Sequence, residues 1–175
     1  MERCLIEPAT ERTEVDIANE SSHGSPLVRR SSSPEETEDL GESIAHGLKP
    51  GAVIALKGSL GAGKTCLVKG IARGLRIAEN ITSPTYTIIS EYEARLSGPA
   101  SQGGKNIPFY HIDAYRLRGD DDFENTGAGE YFGANGIIVI EWCDRIPRSI
   151  PPDAITITIE ITGPQNRKIT ISGDE

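Results

Sequence analysis

The chain has 175 residues with 26 acidic and 18 basic side chains, a size that suits one domain burying roughly two thirds of its unfolded surface unaided. A formal net charge of −8 opposes unaided binding to DNA or RNA, which rests on Lys and Arg neutralising phosphates, so any nucleic acid is reached through a partner. No run approaches the ~20 apolar residues of a membrane span.

At the N-terminus no charged segment precedes an apolar core, and Glu2, Glu7, Glu11, Glu14 and Asp16 oppose an organelle transit peptide. Cys4, Cys66 and Cys143 form neither a CxxC pair nor a disulfide framework. A reducing cytoplasm is therefore the expected compartment.

Residues 1–32 are polar and Ser-rich and, apart from a short candidate strand at Leu5–Ile6, are expected to be a mobile extension. The folded domain is expected over 33–175. Ser33 can cap a helix, Pro34 suits its first turn and Glu36 completes a capping box. Leu40, Ile44, Ala45 and Leu48 then line one face. "AVIAL" (52–56) reads as a buried strand, and "KTCLVKGIARGL" (64–75) as a helix with Leu67, Val68, Ile71 and Leu75 inward.

"TYTIISEY" (85–92) alternates as a strand with one face exposed, and "ARLSGPASQGGKN" (94–106) reads as a loop. "IPFYHID" (107–113) resumes as a strand, and "DDDFENTGAGEYF" (120–132) suggests one or two short helices broken at Gly127 and Gly129. The run "IIVIE" (137–141) is continuous enough for a strand buried on both faces. "DAITITIEI" (153–161) and "RKITISG" (167–173), joined by "TGPQN", form a hairpin pattern. The expected architecture is a single α/β P-loop NTPase-like domain. Its central sheet is mixed but mostly parallel, flanked by helices, with an antiparallel C-terminal edge hairpin.

Gly58, Ser59, Leu60, Gly61, Ala62, Gly63, Lys64 and Thr65 satisfy GxxxxGK(S/T) between a strand and a helix, the context that gives the pattern meaning. Glycines let the backbone N–H groups close on phosphate oxygens, and the helix terminus adds to that field. Lys64 supplies a point charge, and the Thr65 hydroxyl can ligate Mg²⁺. No (N/T)KxD guanine element is present, which favours ATP over GTP. A small-molecule kinase would usually add an Arg-rich lid. Arg116 and Arg118 are the nearest approach to one, and equally suit solvated positions after a strand.

Two carboxylates end neighbouring strands. Glu141 follows the more continuous apolar run and is assigned to Mg²⁺; Asp113 is then the candidate for orienting or deprotonating an attacking water. Either could instead cap the turn that follows it. His111 would share a sheet face with Asp113, and reads more readily as a buried, satisfied histidine. Trp142 suits base stacking, a partner contact or a core position equally. "SPTYT" places Ser83 and Thr85 on a loop entering a strand, where elements that sense a γ-phosphate often lie.

In order, "GSLGAGKT", "TSPTYTIISEY", "FYHIDAYRL", "EYF" and "IIVIEW" resemble the TsaE (YjeE) family of small P-loop ATPases of tRNA threonylcarbamoyladenosine biosynthesis, over about residues 33–173. The resemblance implies Mg²⁺-dependent ATP binding and slow hydrolysis while docked on a TsaB–TsaD heterodimer, with tRNA met only through that complex. It places the phosphate cradle on Gly58 to Thr65, the metal on Thr65 and Glu141, and the HxD aspartate on Asp113. The nucleotide-sensing loop falls on Ser83, Pro84 and Thr85. Thr37, a surface position by spacing alone, matches a threonine near the nucleotide, and Arg167 matches an arginine bordering the adenine. Two positions depart from the pattern: Ser59 stands where Asp is usual, and Cys66 replaces a second Thr. The loop 94–106 looks longer than is typical. A small-molecule kinase and a nucleotide-binding regulatory module without useful turnover are the alternative functions.

Overall fold

The structure is a computed structural model that describes residues 25–82, 88–96 and 105–173. In chain order its elements are β1 (Leu27–Ser31), α1 (Pro34–Gly47), β2 (Val53–Lys57), α2 (Lys64–Gly74), β3 (Ile89–Leu96), β4 (Lys105–Asp113), α3 (Asp120–Asn125), β5 (Ile137–Glu141), β6 (Ile155–Ile161) and β7 (Arg167–Gly173). Short 3-10 turns at Ala128–Tyr131 and Cys143–Arg145 flank β5.

One seven-stranded sheet runs β1-β7-β6-β2-β5-β4-β3. Its centre, β6-β2-β5-β4, is parallel, and the outer pairings β3–β4, β6–β7 and β1–β7 are antiparallel. The parallel strands lie where the sequence offers unbroken aliphatic runs. Residues Val53 to Leu56 and all of β5 are buried, which a strand covered on both faces requires.

The core is split by the sheet. On one side, Ile44 of α1 and Leu67, Ile71 and Leu75 of the α2 segment pack on Ile54, Leu56, Phe109 and Val139. On the other, Phe123, Ile146 and Tyr110 cover Ala55, Ile138 and Ile140. Each fully buried Ile, Leu or Phe contributes about 1.5–3 kcal/mol relative to exposure.

Ser33 caps α1 as expected, accepting a hydrogen bond from the Glu36 amide at 3.1 Å, but the Glu36 carboxylate reaches back to Ser32 N and Oγ rather than to Ser33. α1 and α2 approach closely through glycines that carry no signal of their own in the sequence. A Cβ on Gly70 would overlap the backbone carbonyl of Glu38, and one on Gly41 would overlap that of Leu67.

Two expectations need correction. The ordered fold starts before Ser33, because Leu27–Ser31 is a strand whose five residues pair with β7; its polar, Arg-containing sequence hid an edge strand inside the stretch read as extension. The segment 94–106 is not all loop. β3 continues to Leu96 and β4 begins at Lys105, with Ala94 fully buried opposite Ile107 and Asn106 donating to Glu93 Oε1 at 2.7 Å. The candidate strand at Leu5–Ile6 lies outside the described residues.

Gly70→Ala should lower the melting temperature by several degrees, although alanine favours a helix interior by about 1 kcal/mol, since the added methyl forces α2 off the α1 backbone. Thermal unfolding followed by circular dichroism checks the sign.

Candidate nucleotide site

β2 delivers the chain to the turn Gly58–Gly63, from which α2 starts at Lys64. Gly61 and Gly63 take φ of 75° and 103°, a region that side chains with a Cβ disfavour. A Cβ on Gly58 would lie 2.7 Å from Ile159 O, so the turn can back directly onto β6 only with glycine there. Gly63 caps α2 without a side-chain hydrogen bond, which leaves the first helical amides for an incoming anion. Ser59 and Leu60 are exposed at the tip of the turn, and Ala62 is buried beneath it.

Lys64 is buried, and its ammonium donates to Gly58 O at 2.7 Å and Ser59 O at 3.1 Å. The same nitrogen lies 3.6 Å from the centroid of the Trp142 ring. Burial pushes its pKa below the ordinary lysine value, while the carboxylates of Glu141, Asp113 and Asp144 pull the other way. Trp142 occupies the left-handed region at φ 60°, and its ring packs on Tyr115 with centroids 4.9 Å apart. Such a backbone costs roughly 1–2 kcal/mol for a residue with a Cβ, and the ring contacts offset it.

Thr65 Oγ1 donates to both oxygens of Glu141, at 3.0 and 3.2 Å. Glu141 is 2% exposed, and its Oε1 also lies 2.9 Å from Nε2 of the fully buried His111. Among the described residues His111 Nδ1 has no hydrogen-bond partner, so the proton belongs on Nε2, where it is donated to Glu141; the opposite tautomer would bury an unpaired N–H. Asp113 stands opposite Glu141 in the β4–β5 register, is half-buried, and accepts the Tyr115 amide at 2.9 Å. The deeper carboxylate is thus Glu141, as its longer apolar run implies, and His111 is a contact of the site rather than a bystander.

Thr65 and Glu141 are hard oxygen donors converging beside the open helix terminus, which fits Mg²⁺. Among the described residues no group of three His, Cys, Asp or Glu side chains could hold a metal ion by itself. An ion sharing its coordination with phosphate and water needs fewer protein ligands.

The remaining expectations divide. Thr37 is buried, not a surface residue: its hydroxyl donates to Ser33 O at 3.1 Å and accepts from Ser31 Oγ at 2.8 Å. The Cys66 thiol turns toward α1, 3.6 Å from Pro34 O, and burial beside Glu38 pushes its pKa up, so it is a packed thiol. Arg167 comes to the turn itself, donating to Ala62 O at 2.8 Å and Gly61 O at 3.2 Å. Arg116 and Arg118 are exposed. Ser83, Pro84 and Thr85 lie outside the described residues. The contact of Trp142 with Lys64 was missed; its only signal in the sequence is adjacency to Glu141.

A glycine turn between a central strand and the helix behind it, with its lysine and its Thr–Glu pair, defines a P-loop nucleotide-binding protein. The family model described as Threonylcarbamoyl adenosine biosynthesis protein TsaE matches residues 31–169. The tRNA threonylcarbamoyladenosine biosynthesis protein TsaE of Treponema pallidum (strain Nichols) is 39% identical over 142 residues, 81% of this chain and 97% of its own. Its namesake in Bacillus subtilis (strain 168) is 38% identical over 146 residues, 83% and 85% of the two chains. A crystal structure of Bacillus subtilis YdiB matches with a TM-score of 0.67 at 35% identity, over 88% of this chain and 90% of that one. The chain belongs to the TsaE family.

His111→Leu should cost about 1–3 kcal/mol by leaving Glu141 buried with one donor fewer. Urea unfolding with an unchanged m-value checks it.

Proposed function

We propose that this protein is a cytoplasmic, Mg²⁺-dependent ATPase that acts with a TsaB–TsaD pair in forming threonylcarbamoyladenosine in tRNA. The convergence of Thr65, Glu141 and Lys64 at the mouth of the glycine turn supports nucleotide binding most directly. The names of the relatives support the pathway. The net charge of −8 supports reaching tRNA through partners rather than directly.

In this reading the amides of the turn and of the first turn of α2 cradle the phosphates. Lys64 leaves the carbonyls of Gly58 and Ser59 to meet the outer phosphates, carrying its charge to where negative charge gathers in phosphoryl transfer. Mg²⁺ held by Thr65 and Glu141 would neutralise phosphate oxygens. Asp113, half-buried at the end of the neighbouring strand, orients or deprotonates the attacking water. His111 keeps the Glu141 carboxylate aimed at Thr65.

ATP hydrolysis should be measured for the full chain with and without a cognate TsaB–TsaD pair, for wild type, Glu141→Ala and Asp113→Ala. Glu141→Ala should weaken Mg²⁺-dependent ATP binding about tenfold or more, whereas Asp113→Ala should leave binding largely intact and lower hydrolysis about 10²-fold or more. Equal loss of binding in both variants refutes this division of roles. A pair that neither binds the protein nor changes its rate refutes the partnership, and phosphoryl transfer to a small acceptor without partners would identify a kinase.

A further inference from the structure

Arg167 opens β7, directly after the turn that joins it to β6. Its guanidinium donates through Nε to Ala62 O at 2.8 Å and through Nη2 to Gly61 O at 3.2 Å. Nη1 donates to Gly163 O at 3.2 Å and to Asn166 O at 2.9 Å. One planar cation thus joins two carbonyls of the phosphate turn to two of the β6–β7 turn. Four of its five N–H groups are committed to backbone, which leaves one for any ligand.

The direction of these bonds matters. A peptide unit is planar, so fixing a carbonyl toward Arg167 turns the N–H of the same unit away from it. The Ala62 carbonyl shares its plane with the Gly63 amide, which is thereby aimed to the side opposite the guanidinium. The Gly61 carbonyl shares its plane with the Ala62 amide, which closes onto Ser59 O at 3.1 Å. Without such ties a turn containing Gly58, Gly61 and Gly63 has unusual freedom, and ordering each residue costs about 1–2 kcal/mol of backbone entropy.

We propose that Arg167 is a positioning residue for the phosphates: it holds the turn Gly58–Gly63 in its anion-ready shape before the nucleotide arrives, rather than reading the base. This rests on the nucleotide-binding reading above. Lysine is a poor substitute, because a compact ammonium with three donors cannot span four carbonyls set for a planar fork.

The test titrates the full chain with ATP and with Mg²⁺ tripolyphosphate, for wild type, Arg167→Gln and Arg167→Lys. Amide hydrogen exchange of residues 58–64 and melting temperature are recorded without ligand. ATP and tripolyphosphate should lose affinity by the same factor in Arg167→Gln, about tenfold, with little recovery in Arg167→Lys. The amides of 58–64 should exchange faster, with protection of β2 and β5 and the melting temperature close to wild type. Two results overturn the proposal: tripolyphosphate affinity kept while ATP affinity falls, which would assign the guanidinium to the nucleoside, or unchanged exchange at 58–64. Exchange decides even where tripolyphosphate binds too weakly to titrate. Failure of the wild type itself to bind ATP removes the nucleotide reading and this one with it, a result seen before any variant is made.

Discussion

A carboxylate at the end of an apolar strand is costly to bury unless its oxygens find donors, and Glu141 is the point at which this fold meets that cost. Its oxygens take the Thr65 hydroxyl from α2 and the His111 Nε2 proton from β4. Three elements distant in sequence must therefore be in register at once. Leu56 must stand opposite Glu141, so that β2 launches the glycine turn at the right height, and Asp113 must stand opposite it on the other side. The parallel centre of the sheet is the geometry that brings all these strand ends to one edge.

What was legible in the sequence follows from how local the causes are. The helix cap at Ser33, the glycine turn, the unbroken β5 run and the C-terminal hairpin are each written within a few residues, and all appear as expected. Glu141 could be ranked deeper than Asp113 because a longer aliphatic run marks a strand buried on both faces. Features fixed by distant partners were not legible. β1 looks like a polar tail until β7 supplies its ladder, and Thr37 looks solvated until Ser31 covers it. The close approach of α1 to α2 depends on Gly41 and Gly70, residues that by propensity alone only weaken their helices. The Gly- and Ser-rich run after Leu96 gave its loop character to Ala94, which is buried in β3.

Lys64 shows how the turn accommodates a buried charge. Its ammonium is out of water and satisfied by two carbonyls of the turn and the face of Trp142. A cation held this way keeps much of its attraction for an anion, because a carbonyl dipole and a ring quadrupole neutralise it less completely than a carboxylate would. Glu141 would be the stronger partner, yet it is engaged by Thr65 and His111. The separation keeps a buried carboxylate and a buried ammonium in one small site without their cancelling as an ion pair.

β1 and β7 complete this arrangement. In the β1–β7 ladder Ser31 stands opposite Arg167. From that one rung, Ser31 reaches Thr37 on α1, and Arg167 reaches Gly61 and Ala62 in the turn. β1 and β7 are therefore part of what shapes the phosphate turn, although neither belongs to the strand–turn–helix motif. This has a consequence for assembly. A motif read from eight consecutive residues is thus tied by contacts spanning more than a hundred positions, which are costlier in loop-closure entropy than the local contacts of the helices. The β1–β7 pairing, half of which the sequence hid in a stretch read as a mobile extension, links the turn to the far edge of the sheet.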